Sequence, residues 1–289
     1  MESLASHPLL VTLLVNSARS CIWLAILLAV FAPLEHFFAL RPIKLFYKGW
    51  STNLSWYFVN SLLPIFLFSP ASALLALAIH ATLPASVTGA AAELPLWARM
   101  VGAMVVGEMG FYWGHRWSHE IPLLWRFHSV HHSAETINFL VNTRAHPVDL
   151  VFTRLCGLTL LAATGFAAPV GDHPSLIPAL VLFVGSMWSF FIHANLRWRL
   201  GPFEEALSSP AFHHWHHTRE DHKNHNLFFD ASGDGSHFRH FLFAETMACR
   251  LRDEYADARR PDRPDAGASA ARPEGARRQD FPALAGWRA

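Results

Sequence analysis

The sequence predicts an all-α protein: a multi-pass membrane helical bundle with a cytoplasmic, histidine-rich cap. Of its 289 residues, 52% are hydrophobic and 16% are charged, and the mean hydropathy is +0.21. This composition is too apolar for an ordinary soluble domain of that length. Several apolar stretches approach the roughly 20 residues that cross a bilayer. Three histidine clusters lie beside the ends of these stretches, so the polar, functional part of the chain is expected at one membrane surface.

Five apolar stretches are the predicted membrane spans: residues 9–31, 54–83, 94–113, 148–168 and 176–192. The first is not expected to be a cleaved signal peptide, because it lacks a basic start and carries Arg19 in its middle. Arg41, Lys44 and Lys48 follow it, which places that loop in the cytoplasm by the positive-inside rule. Counting onward puts the histidine clusters at the inner ends of the third and fifth spans. The predicted protein is therefore an integral membrane protein with its site on the cytoplasmic face.

The spacing of the clustered histidines predicts a metal site. Residues three and four apart share one face of a helix, so each cluster presents its imidazoles in one direction. Neutral imidazole suits iron, zinc and copper. The number of imidazoles exceeds what one ion can bind, which predicts two metals. The candidate ligands are His115, His119, His128, His131, His132, His193, His213, His216 and His217.

Not every histidine belongs to that set. His193 is included because an ionisable residue at a span end is a functional hypothesis by default, and its depth matches the clusters. His214 lies off the face shared by its neighbours and is left out. Ligating imidazoles need hydrogen-bond partners on their far nitrogen. The candidates for this supporting role are His146, Asn195, Asp149 and Glu108.

Other compositional features exclude some function classes. The three cysteines are scattered without a CxxC pair, so neither a disulfide framework nor a thiolate zinc site is expected. The net charge is +1, which gives no indication of nucleic acid as a partner. Histidine is therefore expected to carry the metal chemistry alone.

The three clusters resemble the histidine boxes of a known superfamily. The patterns His115-x-x-x-His119, His128-x-x-His131-His132 and His213-x-x-His216-His217 are similar to those of the fatty acid hydroxylase and sterol desaturase superfamily, membrane di-iron enzymes. The segments 144–147 and 191–195 add further similarity, and the likeness covers roughly residues 20–226. This resemblance implies two iron ions that activate O2, and hydroxylation or desaturation of a fatty acyl or sterol-like lipid.

The resemblance also implies a separate electron donor. Cleavage of O2 needs two external electrons, yet the sequence has no glycine-rich dinucleotide motif and no haem or iron–sulfur motif. We therefore expect a reductase that works through a cytochrome b5, a ferredoxin or a similar carrier.

Three other classes compete with this hypothesis. A membrane metal transporter would place its ligands near the bilayer midplane, whereas these ligands follow the span ends. A haem b carrier would use single histidines on facing spans, and His80 and His193 lie at opposite depths. A hydrolytic zinc site usually has three protein ligands and one open position, whereas nine imidazoles beside lipid fit oxygen chemistry better.

The sequence predicts two regions: a family-like domain over residues 1–226 and a divergent tail over 227–289. Members of the superfamily usually continue with Leu-Pro, an aspartate, Phe-Gly-Thr and Tyr-Leu-Pro, which this chain lacks after Asn226. With permitted synonymous codons, a one-base shift within the codon of Leu227 yields a similar ending. We therefore hypothesise that the tail translates a shifted reading frame, and we expect residues 250–289 to be disordered. Histidines after Asp221 are not counted as ligands.

Overall fold

The structure is a computed structural model that describes residues 8–44, 46–201, 203 and 207–217. These residues form α-helices and short 3-10 helices without a β-strand, apart from two isolated bridges, as the all-α prediction requires. The predicted tail, its reading frame and its expected disorder lie outside the described residues. The helices are α1 (Pro8–Phe38), α2 (Trp50–Leu62), α3 (Pro64–Thr82), α4 (Ala85–Thr88), α5 (Leu96–Glu120), α6 (Pro122–His128), α7 (Pro147–Ala163), α8 (Leu176–His193) and α9 (Pro210–His216).

Each predicted span coincides with one or two of these helices. The helices differ in whether they are long and apolar enough to cross a membrane. In the described part of the chain, Leu10–Phe38 and α8 are long and apolar enough to do so on their own. α2 and α3 qualify only together, as a span bent by 44°. Pro64 starts α3 and accounts for the break, since proline cannot continue a helical hydrogen-bond ladder. The five crossings and the cytoplasmic location of the site stay predictions.

Close contact between α5 and α7 fixes the helices that lead into the histidine clusters. A Cβ atom at Gly110 would lie 2.5 Å from the carbonyl oxygen of Cys156 and 2.8 Å from the Cα of Gly157. Only a residue without a side chain permits this approach. α5 extends beyond the predicted third span to Glu120, so it carries His115 and His119 on its last turns.

A buried aromatic cluster joins α1 to the other elements near the histidines. The ring of Phe31 in α1 stacks on Phe139 with centroids 5.5 Å apart and lies 6.2 Å from Phe190 of α8. Phe139 begins a 3-10 helix, Phe139–Thr143, that follows the second histidine cluster. Because all three rings are nearly inaccessible to solvent, this packing fixes the C-terminal half of α1 against the site.

Candidate metal centre

The structure brings the nine predicted histidines together in two adjoining groups. Within each group, one ring nitrogen of every member lies within 4.8 Å of those of all the others. The five-histidine group consists of His115, His119, His128, His132 and His216, and the four-histidine group consists of His131, His193, His213 and His217. The two groups meet where the rings of His132 and His217 stack, with centroids 4.4 Å apart.

Several short elements deliver these side chains. α5 presents His115 and His119 one turn apart, and His128 ends α6. The next 3-10 helix, His131–Ser133, sends His131 to the four-histidine group and His132 to the five-histidine group. α9 and the residue after it are divided in the same way: His216 joins the larger group, and His213 and His217 join the smaller one.

The distances between ring nitrogens fit ligands of a common metal ion. Two nitrogens bound roughly 2.0–2.1 Å from one ion, at about 90° to each other, are separated by about 3.0 Å. The Nε2 atoms of successive histidines in both groups have this spacing. The pairs are His115–His216 (3.1 Å), His119–His128 (3.1 Å), His128–His132 (3.1 Å), His131–His193 (3.0 Å), His193–His213 (2.9 Å) and His213–His217 (3.2 Å).

The hydrogen bonds on the far side of two rings determine which nitrogen carries the proton. His131 Nδ1 donates to the carbonyl oxygen of Arg144 at 3.2 Å, and His193 Nδ1 donates to that of Ser189 at 2.7 Å. Since a carbonyl only accepts, both rings keep their proton on Nδ1 and leave a lone pair on Nε2. Two lone pairs that face each other at 3.0 Å repel unless a cation is shared between them. The four-histidine group therefore fits a metal ion.

Burial also favours the metal-binding form of these imidazoles. It lowers the pKa of His131 to about 4, with a smaller contribution from the neighbouring His128. Burial, followed by repulsion from nearby imidazoles, holds the pKa of His115, His132, His213, His216 and His217 well below the usual value. These rings are neutral at pH 7, which is the state that binds a metal.

Asp149 contacts the five-histidine group directly. Its Oδ2 lies 2.9 Å from His128 Nδ1, and its Oδ1 accepts a hydrogen bond of 3.1 Å from Ser118. Asp149 lies in the first turn of α7, where the helix dipole stabilises a carboxylate. The arrangement of carboxylate, imidazole and metal position is typical of metal sites in proteins.

The other three predicted supporting residues have different surroundings. Asn195 bonds to the backbone of Arg41 beside the chain that follows His193. His146 caps α7, since its Nδ1 accepts the N–H of Val148 at 3.2 Å. Glu108 lies two turns before His115, with its Oε1 close to Gly185 of α8.

Two supporting residues were missed by sequence analysis. Glu35 Oε1 accepts the N–H groups of Phe139 and Asn195 at 2.8 and 2.9 Å. Its position at the end of an apolar span was a usable signal, because carboxylates are costly there. His214 lies outside both groups, and its Nε2 donates to the carbonyl oxygen of Ala194 at 2.9 Å. It therefore fixes α9 against the end of α8.

A family comparison agrees with the site geometry. Residues 100–233 match the model of the fatty acid hydroxylase family. Residues 100–233 are thus similar to this family, and we call them the fatty acid hydroxylase region. All nine histidines, together with Asp149 and His214, lie within the fatty acid hydroxylase region.

Several proteins of known activity are similar to the fatty acid hydroxylase region. Ornithine lipid hydroxylase OlsE of Rhizobium tropici is 34% identical over 128 residues, which are 44% of this chain and 36% of the relative. Alkylglycerol monooxygenase of Danio rerio is 33% identical over 112 residues, 39% of this chain and 23% of the relative. Methylsterol monooxygenase 2-2 of Arabidopsis thaliana is 30% identical over 131 residues, 43% of this chain and 46% of the relative. The chain thus spans less than half the length of each of these relatives, and no solved structure matches it.

Proposed function

We propose that this protein is a membrane-bound, O2-dependent di-iron oxidoreductase that hydroxylates or desaturates a C–H bond of a lipid. The observation that carries the proposal is the arrangement of nine histidines into groups of five and four within a fatty acid hydroxylase region. The similar proteins are named as a lipid hydroxylase, an alkylglycerol monooxygenase and a methylsterol monooxygenase. A fatty acyl or sterol-like lipid is therefore the proposed substrate class.

Each histidine group would hold one iron ion. Bound iron would supply the activation of O2. The donor set supports iron, because a first-row metal accepts four to six ligands and imidazole suits iron well. Hydrolytic zinc sites usually bind through three protein ligands, fewer than either group offers.

The residues around the histidines prepare the site. Asp149 orients His128, and the carbonyl groups of Arg144 and Ser189 keep the Nε2 lone pairs of His131 and His193 directed at the metal position. Burial of the four-histidine group excludes water and keeps its rings neutral.

The location of the site supports a substrate drawn from the bilayer. His193 is the last residue of α8, one of the helices that are apolar enough to cross a membrane. A lipid chain beside α8 would therefore end close to the four-histidine group. We propose a multi-pass protein with this site on the cytoplasmic face, where a cytochrome b5, ferredoxin or reductase supplies the electrons.

The alternative function is that of a membrane metal transporter or metal-binding protein that uses the same histidines. Transport sites usually lie near the bilayer midplane, between discontinuous helices. Here the ligands occupy the ends of α5, α6 and α8 together with α9, so the oxidoreductase is the better supported function.

Metal analysis combined with lipidomics tests the proposal. The protein purified in detergent should contain two iron ions per chain and show no haem absorption. Cells that express it, compared with cells that express His131→Ala, should contain a lipid that has gained one oxygen or lost two hydrogens. Bound metal without any altered lipid would favour the metal-binding alternative, and a Soret band would favour a haem protein.

A further inference from the structure

Glu35, near the end of α1, joins two chain segments that carry histidines of the same group. One of its oxygens, Oε1, accepts both the N–H of Phe139 and the N–H of Asn195, at 2.8 and 2.9 Å. We infer that Glu35 is a positioning residue for the four-histidine group. It sets the relative placement of His131 and His193, whose Nε2 atoms lie 3.0 Å apart.

The connection to His131 runs through a short, rigid segment. Phe139 begins the 3-10 helix whose C-cap is Arg144, and the carbonyl of Arg144 orients His131. The guanidinium of Arg144 also returns to Ser133, with Nε 3.0 Å from its Oγ. A displacement of Phe139 would therefore be passed to Arg144 and from there to the ring of His131.

The connection to His193 is equally short. Asn195 is two residues from His193 and is 3% exposed. Its side-chain Oδ1 accepts the N–H of Arg41 at 3.2 Å, and its Nδ2 donates to the carbonyl oxygen of Arg41 at 2.6 Å. The N–H of Leu40 donates to the backbone carbonyl of Asn195 at 3.1 Å. Glu35 of α1, together with Leu40 and Arg41 just after it, thus holds Asn195, which follows the end of α8.

Two contacts hold Phe139 against α1, one through its ring and one through its backbone N–H. Phe31, one turn before Glu35, stacks on the ring of Phe139, while Glu35 accepts the N–H of the same residue. A buried N–H without an acceptor is costly, so loss of the carboxyl would release this segment. The five-histidine group is supported differently, through Asp149 of α7.

Because the two histidine groups have separate supports, loss of Glu35 should affect only the four-histidine group. The metal measurement that tests this rests on the proposed function. In Glu35→Ala, the metal affinity of the four-histidine group should fall, by at most the roughly 10–100-fold that follows loss of a ligand's own hydrogen-bonding partner, because Glu35 acts through Phe139 and Asn195. Iron should then fall from two ions per chain towards one. In Glu35→Gln, the amide Oε1 can accept the same two N–H groups, so iron content should remain at two. His36→Ala, an exposed neighbour, is the matched control and should also keep two.

Hydrogen exchange measured by mass spectrometry provides a readout that does not depend on metal. Peptides that contain Phe139 and Asn195 should lose protection in Glu35→Ala and keep it in Glu35→Gln and His36→Ala. Unchanged protection or two retained ions in Glu35→Ala would overturn the inference, as would equal loss from both histidine groups or a Glu35→Gln variant that behaves like Glu35→Ala. If the unsubstituted protein bound no metal, the proposed function would fail, and the exchange data would still decide whether Glu35 holds both segments.

Discussion

Asp149 Oδ2 lies 2.9 Å from His128 Nδ1, and the two side chains are 6% and 2% exposed. This contact joins the start of α7 to the five-histidine group in a place where water cannot replace either partner. Ser118, which donates to the other oxygen of Asp149, fixes the carboxylate from α5. The orientation of His128 therefore depends on two helices that are distant in sequence.

Substitution Asp149→Ala should weaken metal binding by the five-histidine group. It removes the acceptor of His128 Nδ1, and the expected loss in affinity is about 10–100-fold. Chelator competition on the purified protein measures this loss. Asp172→Ala, in an exposed turn, is the control and should bind metal normally. Equal affinities of the two variants would show that Asp149 does not support the site.

Substitution His131→Ala should abolish lipid oxidation and leave membrane insertion intact. His131 is a member of the four-histidine group, with its Nε2 3.0 Å from that of His193, and its contribution to the helical bundle is small because it belongs to a short 3-10 segment. The oxidised lipid, the iron content and the membrane fraction of the protein are the three measurements. His173→Ala removes an exposed imidazole outside both groups and should retain activity. A fully active His131→Ala variant with two iron ions would remove His131 from the ligand set.

Substitution Gly110→Leu should separate α5 from α7 and disturb the site without touching a histidine. Even the first carbon of the new side chain would lie 2.5 Å from the carbonyl oxygen of Cys156. Overpacking of this kind costs about 1–3 kcal/mol, and more where backbone is the obstacle. The melting temperature in detergent and the iron content should both fall. Met109→Leu places the same residue at the exposed neighbouring position and should leave both unchanged.

Metal removal should destabilise the protein. The histidines of both groups direct nitrogens at common points, so metal binds the folded chain far better than the unfolded one. At a free metal concentration about 100 times the dissociation constant, each site adds roughly 2.7 kcal/mol of stability. Thermal unfolding after chelation, and again after iron is restored without oxygen, measures this difference. Identical melting temperatures would argue against a metal in either group.

The hypothesis of a shifted reading frame predicts a one-base insertion or deletion near the codon of Leu227. Correction of the frame should regenerate the ending that the superfamily shares and raise the metal affinity of the third histidine cluster about 10–100-fold, because that ending is expected to support the cluster. The present chain should accordingly be weakly active or inactive. Sequencing of the coding DNA and metal titration of both versions are the measurements. A confirmed present frame would leave a divergent tail as the explanation.

The sequence alone identified the nine histidines and their shared faces. His115 and His119 are one turn apart, and such local geometry follows from helical periodicity without knowledge of any other element. The same reasoning left His214 outside the ligand set, and His214 lies outside both groups. Of the predicted spans, those on α5 and α7 are not among the helices of the described chain that are long and apolar enough to cross a membrane alone, and α5 carries Glu108 inside it.

Only the tertiary structure decided how the histidines are divided and what supports them. His131 and His132 are neighbours, yet they belong to different groups, because their directions depend on where α8 and α9 pack. The pairing of His128 with Asp149 requires the close approach of α5 and α7 at Gly110, and Glu35 becomes part of the site only when α1 packs on Phe139. Local periodicity determines where a side chain points along its own helix. The packing of distant helices determines which side chain it meets there.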